Sequence, residues 1–341
     1  MNRIKRMAIF SFILLLILNI VGCNTIVNRI NRIISREKKN DLGTESQQSE
    51  KYINPEIQVS EVNVTLYFKH YLVDHLVPEK RTAQKGKQPI EYVVVEELLK
   101  GPMQVDRVAI MPPDVKVLDV TRKGDTVFVN LSEEFTKDID ITVLPGMDKL
   151  PEEQMPYTLA RMKQLSIYSI VNSLTELDGV NRVKILVNNR SLTYDEIGAD
   201  LIASELPNVD INAPIMAIAR KKGVILSPDD AVREVFTALN EGPDWNRVDA
   251  FLARVNSDGS ERPSIEELQK TYLAYVSALE FQDGFIEGEE IKPDGEAFVT
   301  VTYAIKYANG KKESRENDIF RVVNEEGIWK VRLPGFFENV D

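Results

Sequence analysis

One cysteine and two histidines in 341 residues set the first limits. A single cysteine excludes an intrachain disulfide, and so few Cys and His side chains cannot furnish a Cys/His zinc site. Basic residues are outnumbered, 42 Lys and Arg against 53 Asp and Glu, for a net charge of −11. A nucleic-acid binder shows a basic stripe or face, so nucleic acid is excluded as the expected partner. Gly-x-Ser-x-Gly, His-Glu-x-x-His and a Gly-rich phosphate loop are all missing, which removes the familiar hydrolase, zinc-protease and nucleotide-binding readings. No apolar run reaches the ~20 residues that a bilayer span needs. What remains is ordinary globular composition, 43% hydrophobic and 28% charged, in a chain long enough for about two domains.

The longest apolar stretch, residues 7–21, follows a basic start at Arg3, Lys5 and Arg6 and is broken only by Ser11 and Asn19. That is the form of an export signal. It ends in Ile20-Val21-Gly22-Cys23, which resembles the bacterial lipobox with Ile in the usual Leu place. The resemblance implies that Cys23 is acylated and that the chain is cut before it. Two acyl chains suffice for stable anchoring where one does not, at about 0.8 kcal/mol per buried CH₂. Loss of residues 1–22 leaves 39 basic against 53 acidic residues, a net −14.

After Cys23, Ile26, Ile30, Ile33 and Ile34 share a helical face ringed by Arg29, Arg32, Arg36, Lys38 and Lys39. Two readings stand: a short helix lying on anionic lipid, or a solvated linker. Residues 40–58 are polar and lack a period, so they read as a tether spanning on the order of 25 Å. The expected location is the extracytoplasmic face of the membrane, with the folded part held close to it.

Residues 62–68 alternate as a strand and 78–89 read as a polar loop. Residues 90–100 read as a helix stopped by Gly101-Pro102. Strands follow at 115–120 and 126–131, joined by Arg122-Lys123-Gly124-Asp125. A polar excursion at 136–156 precedes a helix at 159–177, where Ile167, Ile170, Val171 and Leu174 share a face. Residues 182–187 are the last strand. The order β-α-β-β-α-β is the split βαβ plan, one sheet with both helices on one face.

The runs VVEELLKGP (94–102 with Val93 before it), MPPDVKVLDVTRKGDTVFVNLSEEF (111–135) and SIYSIVNSLTELDGVNRVKILVNN (166–189) resemble the GerMN domain, the sporulation and spore-germination module. Two places depart from its pattern. Asn130 replaces an Asp before Leu131-Ser132, and Asn188-Asn189-Arg190 replaces an acidic residue and Gly. The resemblance implies an extracytoplasmic, non-catalytic module that assembles through exposed surfaces.

Ser227-Pro228-Asp229-Asp230 opens a helix, with Ser as N-cap and Pro at N1. A second helix is expected at 245–255. A third begins at the capping box Ser264 to Glu267, with Ile265, Leu268, Tyr272, Val276 and Leu279 on one face. The period then becomes two: strands at 281–291, 297–307, 318–323 and 328–333, with turns at Pro293-Asp294-Gly295 and Asn309-Gly310. This αααββββ order, ending in Gly327-Ile328-Trp329-Lys330-Val331, is similar to the nuclear-transport-factor-like cone. A second GerMN copy is the alternative, since 235–243 echoes 95–102. The fold class is α+β throughout. The expected plan is a leader at 1–22, acylated Cys23 and tether to 58, a GerMN-like domain at 59–195, a linker at 196–226 and a cone-like domain at 227–341.

His70 and His75 read as surface or loop residues rather than a ligand pair. Asp138 and Asp140, beside Glu133 and Glu134, read as a solvated acidic loop and not a calcium site. Tyr272, Tyr303, Tyr307 and Trp329 either pack the core or line a pocket. No catalytic, cofactor or metal residue is expected, and Cys23 is the one site residue. The expected role is a membrane-anchored interaction or assembly module whose partners are envelope proteins, cell-wall components or further copies of itself. Two alternatives stand beside it: a small-ligand receptor or enzyme with its pocket in the C-terminal cone, and a peptidoglycan-binding regulator of cell-wall hydrolases.

Overall fold

The computed structural model describes residues 60–337 apart from 146, 148–149, 200–209, 241 and 257. The leader, Cys23, the basic segment and the tether lie outside the described residues, as do residues 200–209 of the expected linker. Among the described residues no helix is long and apolar enough to cross a membrane.

The first strand, β1 (Ser60–His70), sends Val64, Leu66 and Phe68 into a core shared with helix α1 (Ile90–Leu99). It pairs along its length with an antiparallel strand, β2 (Leu76–Lys85), where a polar loop was expected. The inward positions of β2 explain the difference. Glu79, Arg81 and Ala83 alternate inward there, so charge fills the register that apolar residues usually mark.

The remaining strands of this half form a separate sheet. It contains β4 (Val117–Lys123), β5 (Thr126–Leu131), β6 (Arg182–Val187) and the short β7 (Arg190–Ser191), with β8 (Ile218–Ala219) also on β6. β5 and β6 run parallel, and helix α2 (Met155–Leu174) makes the crossover. The single sheet expected is therefore two, because β1 pairs with β2 and with the two-residue β3 (Arg107–Val108). On the other edge of β1, Ser173 Oγ accepts from the Tyr67 N–H at 2.9 Å and Ser169 Oγ donates to the Tyr67 carbonyl. Two helix hydroxyls thus satisfy buried backbone groups where a neighbouring strand would have done so.

The second half opens with α3 (Pro228–Asn240), α4 (Trp245–Phe251) and α5 (Ile265–Tyr275). The capping box at Ser264 and Glu267 is formed in both directions. A five-stranded antiparallel sheet follows: β9 (Val276–Glu280), β10 (Ile286–Ile291), β11 (Glu296–Tyr307), β12 (Lys312–Glu325) and β13 (Ile328–Val331). Ala297, Val299, Val301, Tyr303, Ile305 and Tyr307 all face inward from β11. Phe236 of α3 lies at the centre, with the rings of Phe281, Phe285, Tyr303, Phe320 and Phe336 within 5.8 Å.

Several boundaries differ from expectation, and β12 begins at Lys312 rather than at 318. α5 stops at Tyr275, and Val276 to Glu280 pair with β11 instead of continuing the helix. Val276 and Leu279 fit a helical face and a strand equally well, and no Gly or Pro marks the change. Residues 281–285 are a turn around Gly284 at φ +84°, so β10 begins later than expected. α4 ends at Phe251, after which Leu252 bridges to Val331.

The halves touch directly. Val73 and Val77 lie in the second core. The Leu226 N–H donates to the Leu76 carbonyl at 2.9 Å. Arg107, fully buried, donates to the carbonyls of Pro78 at 2.8 Å and Glu326 at 2.5 Å.

Candidate functional site

The Leu98-Leu99-Lys100-Gly101-Pro102 signature forms the exit from α1. Gly101 adopts φ +81°, a conformation that side chains other than Gly rarely take. The Gly101 carbonyl accepts from Arg81 at 2.9 Å. Arg81 also donates to the Glu97 carbonyl at 3.0 Å, to the Glu97 carboxylate at 3.1 Å and to Glu79 at 2.5 Å. Glu79 in turn accepts from the N–H groups of Met103 at 3.1 Å and Gln104 at 3.2 Å. Burial pushes the Glu97 carboxyl upward, but hydrogen bonds from Lys100 and Arg81 outweigh it and hold it below the usual carboxylate range. This buried cluster fixes a loop whose apolar tips face water: Met103 is 75% exposed and Val105 98%.

The second feature joins the two departures noted in the sequence. Asn130 is buried at the end of β5. Its Oδ1 accepts from the Asn189 N–H at 2.9 Å, and its Nδ2 donates to Asn189 Oδ1 at 2.9 Å. Asn188 and Asn189 have φ of +47° and +63° and form the two-residue turn between β6 and β7. Two successive left-handed residues are what a type I′ hairpin needs, and Asn is among the side chains that tolerate it.

His70 corrects expectation. It is 1% exposed in β1, not on the surface. Its Nδ1 accepts from the Leu72 N–H at 3.3 Å, and burial, followed by the charges of Lys69 and Arg107, pushes its pKa down to about 3. His75 instead approaches Asp230 of α3 at 3.5 Å. The adjacent Lys69 is buried as well; its Nζ donates to the carbonyls of His70 and Val73 and pairs with Asp74.

In the acidic excursion, Asp138 pairs with Lys163 at 2.9 Å, and Asp140 accepts from the N–H and hydroxyl of Thr142. Among the described residues no group of three His, Cys, Asp or Glu side chains is placed to hold a metal ion. Tyr272, Tyr303 and Tyr307 are core residues. The Tyr303 hydroxyl donates to Asp318 at 2.9 Å and that of Tyr307 to Glu313 at 3.2 Å, while Trp329 is half-buried. An open cleft of about 460 Å³ lies beside Tyr303, lined by Glu280, Asp283 and Lys312 among others.

The Glu79–Arg81–Glu97 cluster was missed in the sequence. Its trace is the alternation Glu79-Lys80-Arg81 within β2, and only the fold tells a buried charge from a solvated one.

Residues 65–193 match the family model of Germane, described as sporulation and spore germination. Nothing among the curated proteins matches this chain. Among solved structures it is similar to the first GerMN domain of the sporulation protein GerM from Bacillus subtilis. That match has 20% identity, covers 47% of this chain and 98% of the other, and has a TM-score of 0.31. It is also similar to the tandem GerMN domains of the same protein, at 18% identity and TM-score 0.33, covering 55% of this chain and 51% of the other. Residues 65–193 of this chain are a Germane domain.

Proposed function

We propose that the protein is a lipid-anchored, extracytoplasmic envelope protein that works by contact rather than catalysis, in sporulation, germination or cell-wall assembly. The observation that carries this reading is the clamped loop of the Germane domain, with Met103 and Val105 held out in water. Apolar side chains on a loop that cannot collapse inward suit a docking contact. The partner is an envelope protein, a cell-wall component or a second copy. Residues 227–341 are read as a nuclear-transport-factor-like cone, supported by helices followed by a five-stranded antiparallel sheet around Phe236. Anchoring rests on the Ile20-Val21-Gly22-Cys23 motif.

Two measurements test this. Cells fed a fatty-acid analogue should label the wild-type protein and not Cys23→Ser; equal labelling ends the anchoring reading. A photo-cross-linking amino acid at Val105 should capture a defined envelope species through sporulation, whereas one at Lys311 on the far hairpin should not. Identical products from both positions, or none from Val105, would refute contact through this loop.

A further inference from the structure

The charge of the chain is unevenly placed. Residues 227–341 hold 13 Lys and Arg against 24 Asp and Glu, while residues 1–226 hold 29 of each. β1 begins at Ser60, whose Oγ donates to the Lys85 carbonyl at 3.2 Å. The strand runs eleven residues to His70, whose ring packs 5.0 Å from that of Phe251 in the second half. At ~3.3 Å per residue, β1 sets the acidic half roughly 33 Å from Ser60.

Cations gather at the Ser60 end. Lys85 ends β2, Lys87 lies in the loop to α1, Lys123 ends β4 and Arg182 opens β6. Arg122 ties these pieces together, donating to Glu91 in the first turn of α1 at 3.3 Å and to the Asp178 carbonyl at 3.1 Å. The Asn181 N–H donates to the Asp125 carbonyl at 2.8 Å, which seats Arg182 beside the β4–β5 hairpin. Lys87, Lys123 and Arg182 are exposed, and neither they nor Lys85 form an ion pair among the described residues. Lys123 lies over the Phe128 ring at 5.7 Å. The acids at this end are Glu61, Glu91, Asp125 and Asp178. Glu91 is taken by Arg122, and Asp125 accepts from Asn181 and Thr126.

We propose that this end rests on anionic phospholipid headgroups, with the acidic half directed away from the membrane. The contact depends on the Cys23 anchor of the proposed function, because the tether delivers Ser60, and with it Lys85, to the lipid surface. An anionic surface attracts Lys85, Lys87, Lys123 and Arg182 within about a Debye length and repels the excess carboxylates of the second half. Charge therefore gives the tethered fold one preferred orientation. The ten residues of α1 span about 15 Å, with Glu91 at the basic end and the Gly101 exit at the other. The Met103–Val105 loop then projects away from the lipid, on the side open to an envelope partner.

Cys23 is the one native cysteine, so its acylation leaves an introduced thiol as the only one to label. The acylated full-length protein is placed in nanodiscs containing headgroup-nitroxide lipid, with a fluorophore at Gln88→Cys or at Glu316→Cys. With about 30% phosphatidylglycerol, quenching at Gln88 is expected to exceed that at Glu316 about three-fold, and about 0.5 M salt should erase the excess. Lys87→Glu/Lys123→Glu should erase it too, whereas Lys311→Glu/Lys312→Glu, the same change of charge on the second half, should not. Equal quenching at the two positions, an excess unchanged by salt or in phosphatidylcholine alone, or no difference between the two charge-reversed variants would overturn the orientation. Protein that never enters the nanodisc overturns the anchor and the orientation together. Protein that enters and shows no bias overturns the orientation alone.

Discussion

The side-chain amide of Asn130 grips Asn189 at both ends, accepting from its backbone N–H and donating to its side-chain oxygen, each at 2.9 Å. The two positions where this chain leaves the GerMN pattern are thus a single contact, and a change at one is met by a change at the other. A carboxylate at 130 would keep the accepting half of that contact and lose the donating half.

Asn130→Asp is accordingly expected to destabilise the protein by about 1–3 kcal/mol, since a buried oxygen then faces Asn189 Oδ1 without a proton between them. Asn189→Gly removes that oxygen and suits the left-handed turn. The double variant should recover part of the loss, with a coupling of about 1 kcal/mol in a urea-denaturation cycle. Strictly additive losses would show that the contact contributes nothing.

Arg81→Met leaves Glu79 and Glu97 buried without their shared cation, and a loss of about 3–5 kcal/mol is expected. The Met103–Val105 loop should loosen in the same variant. Hydrogen exchange at the Met103 and Gln104 amides, which Glu79 now accepts, reads that out locally. Unchanged protection there would mean that the cluster does not hold the loop.

Gly327 sits at φ +92° in the β12–β13 turn, and a methyl group at its Cα would overlap the Pro78 carbonyl. Gly327→Ala is expected to cost on the order of 1–3 kcal/mol. It should also push the turn off β2, breaking the Arg107 bridge to Glu326. Limited proteolysis with faster cleavage near residue 326 would register the displacement.

His70 gives stability a pH dependence of known sign. Its folded pKa is depressed to about 3, while an unfolded histidine titrates near 6.5. Its contribution is complete above pH ~6.5 and is lost as pH falls toward 3, at up to about 1.4 kcal/mol per pH unit. His70→Gln should flatten that slope in urea melts between pH 4 and 7. A slope the same as wild type would assign the effect to other groups.

Much of the fold was legible because apolar period matched element. The β11 alternation from Ala297 to Tyr307 and the Thr126–Leu131 and Arg182–Val187 strands lie where the sequence placed them. Illegibility had physical sources. β2 carries Glu79 and Arg81 on its inward face, so burial there depends on partners distant in sequence. The α5–β9 change lacks a breaker residue. The serines that stitch α2 to Tyr67, Ser169 and Ser173, lie off the apolar period that marks the helix.

The β1–β2 hairpin belongs to the Germane stretch, yet Val73 and Val77 complete the core of the other half, while Ile215 and β8 return across the boundary in the opposite direction. A cut at residue 195 would therefore wound both pieces, stripping apolar plugs from one and an edge strand from the other. The unit that inheritance can copy and the unit that melts are then different objects. The recognisable module is shorter than the smallest segment able to close its own interior.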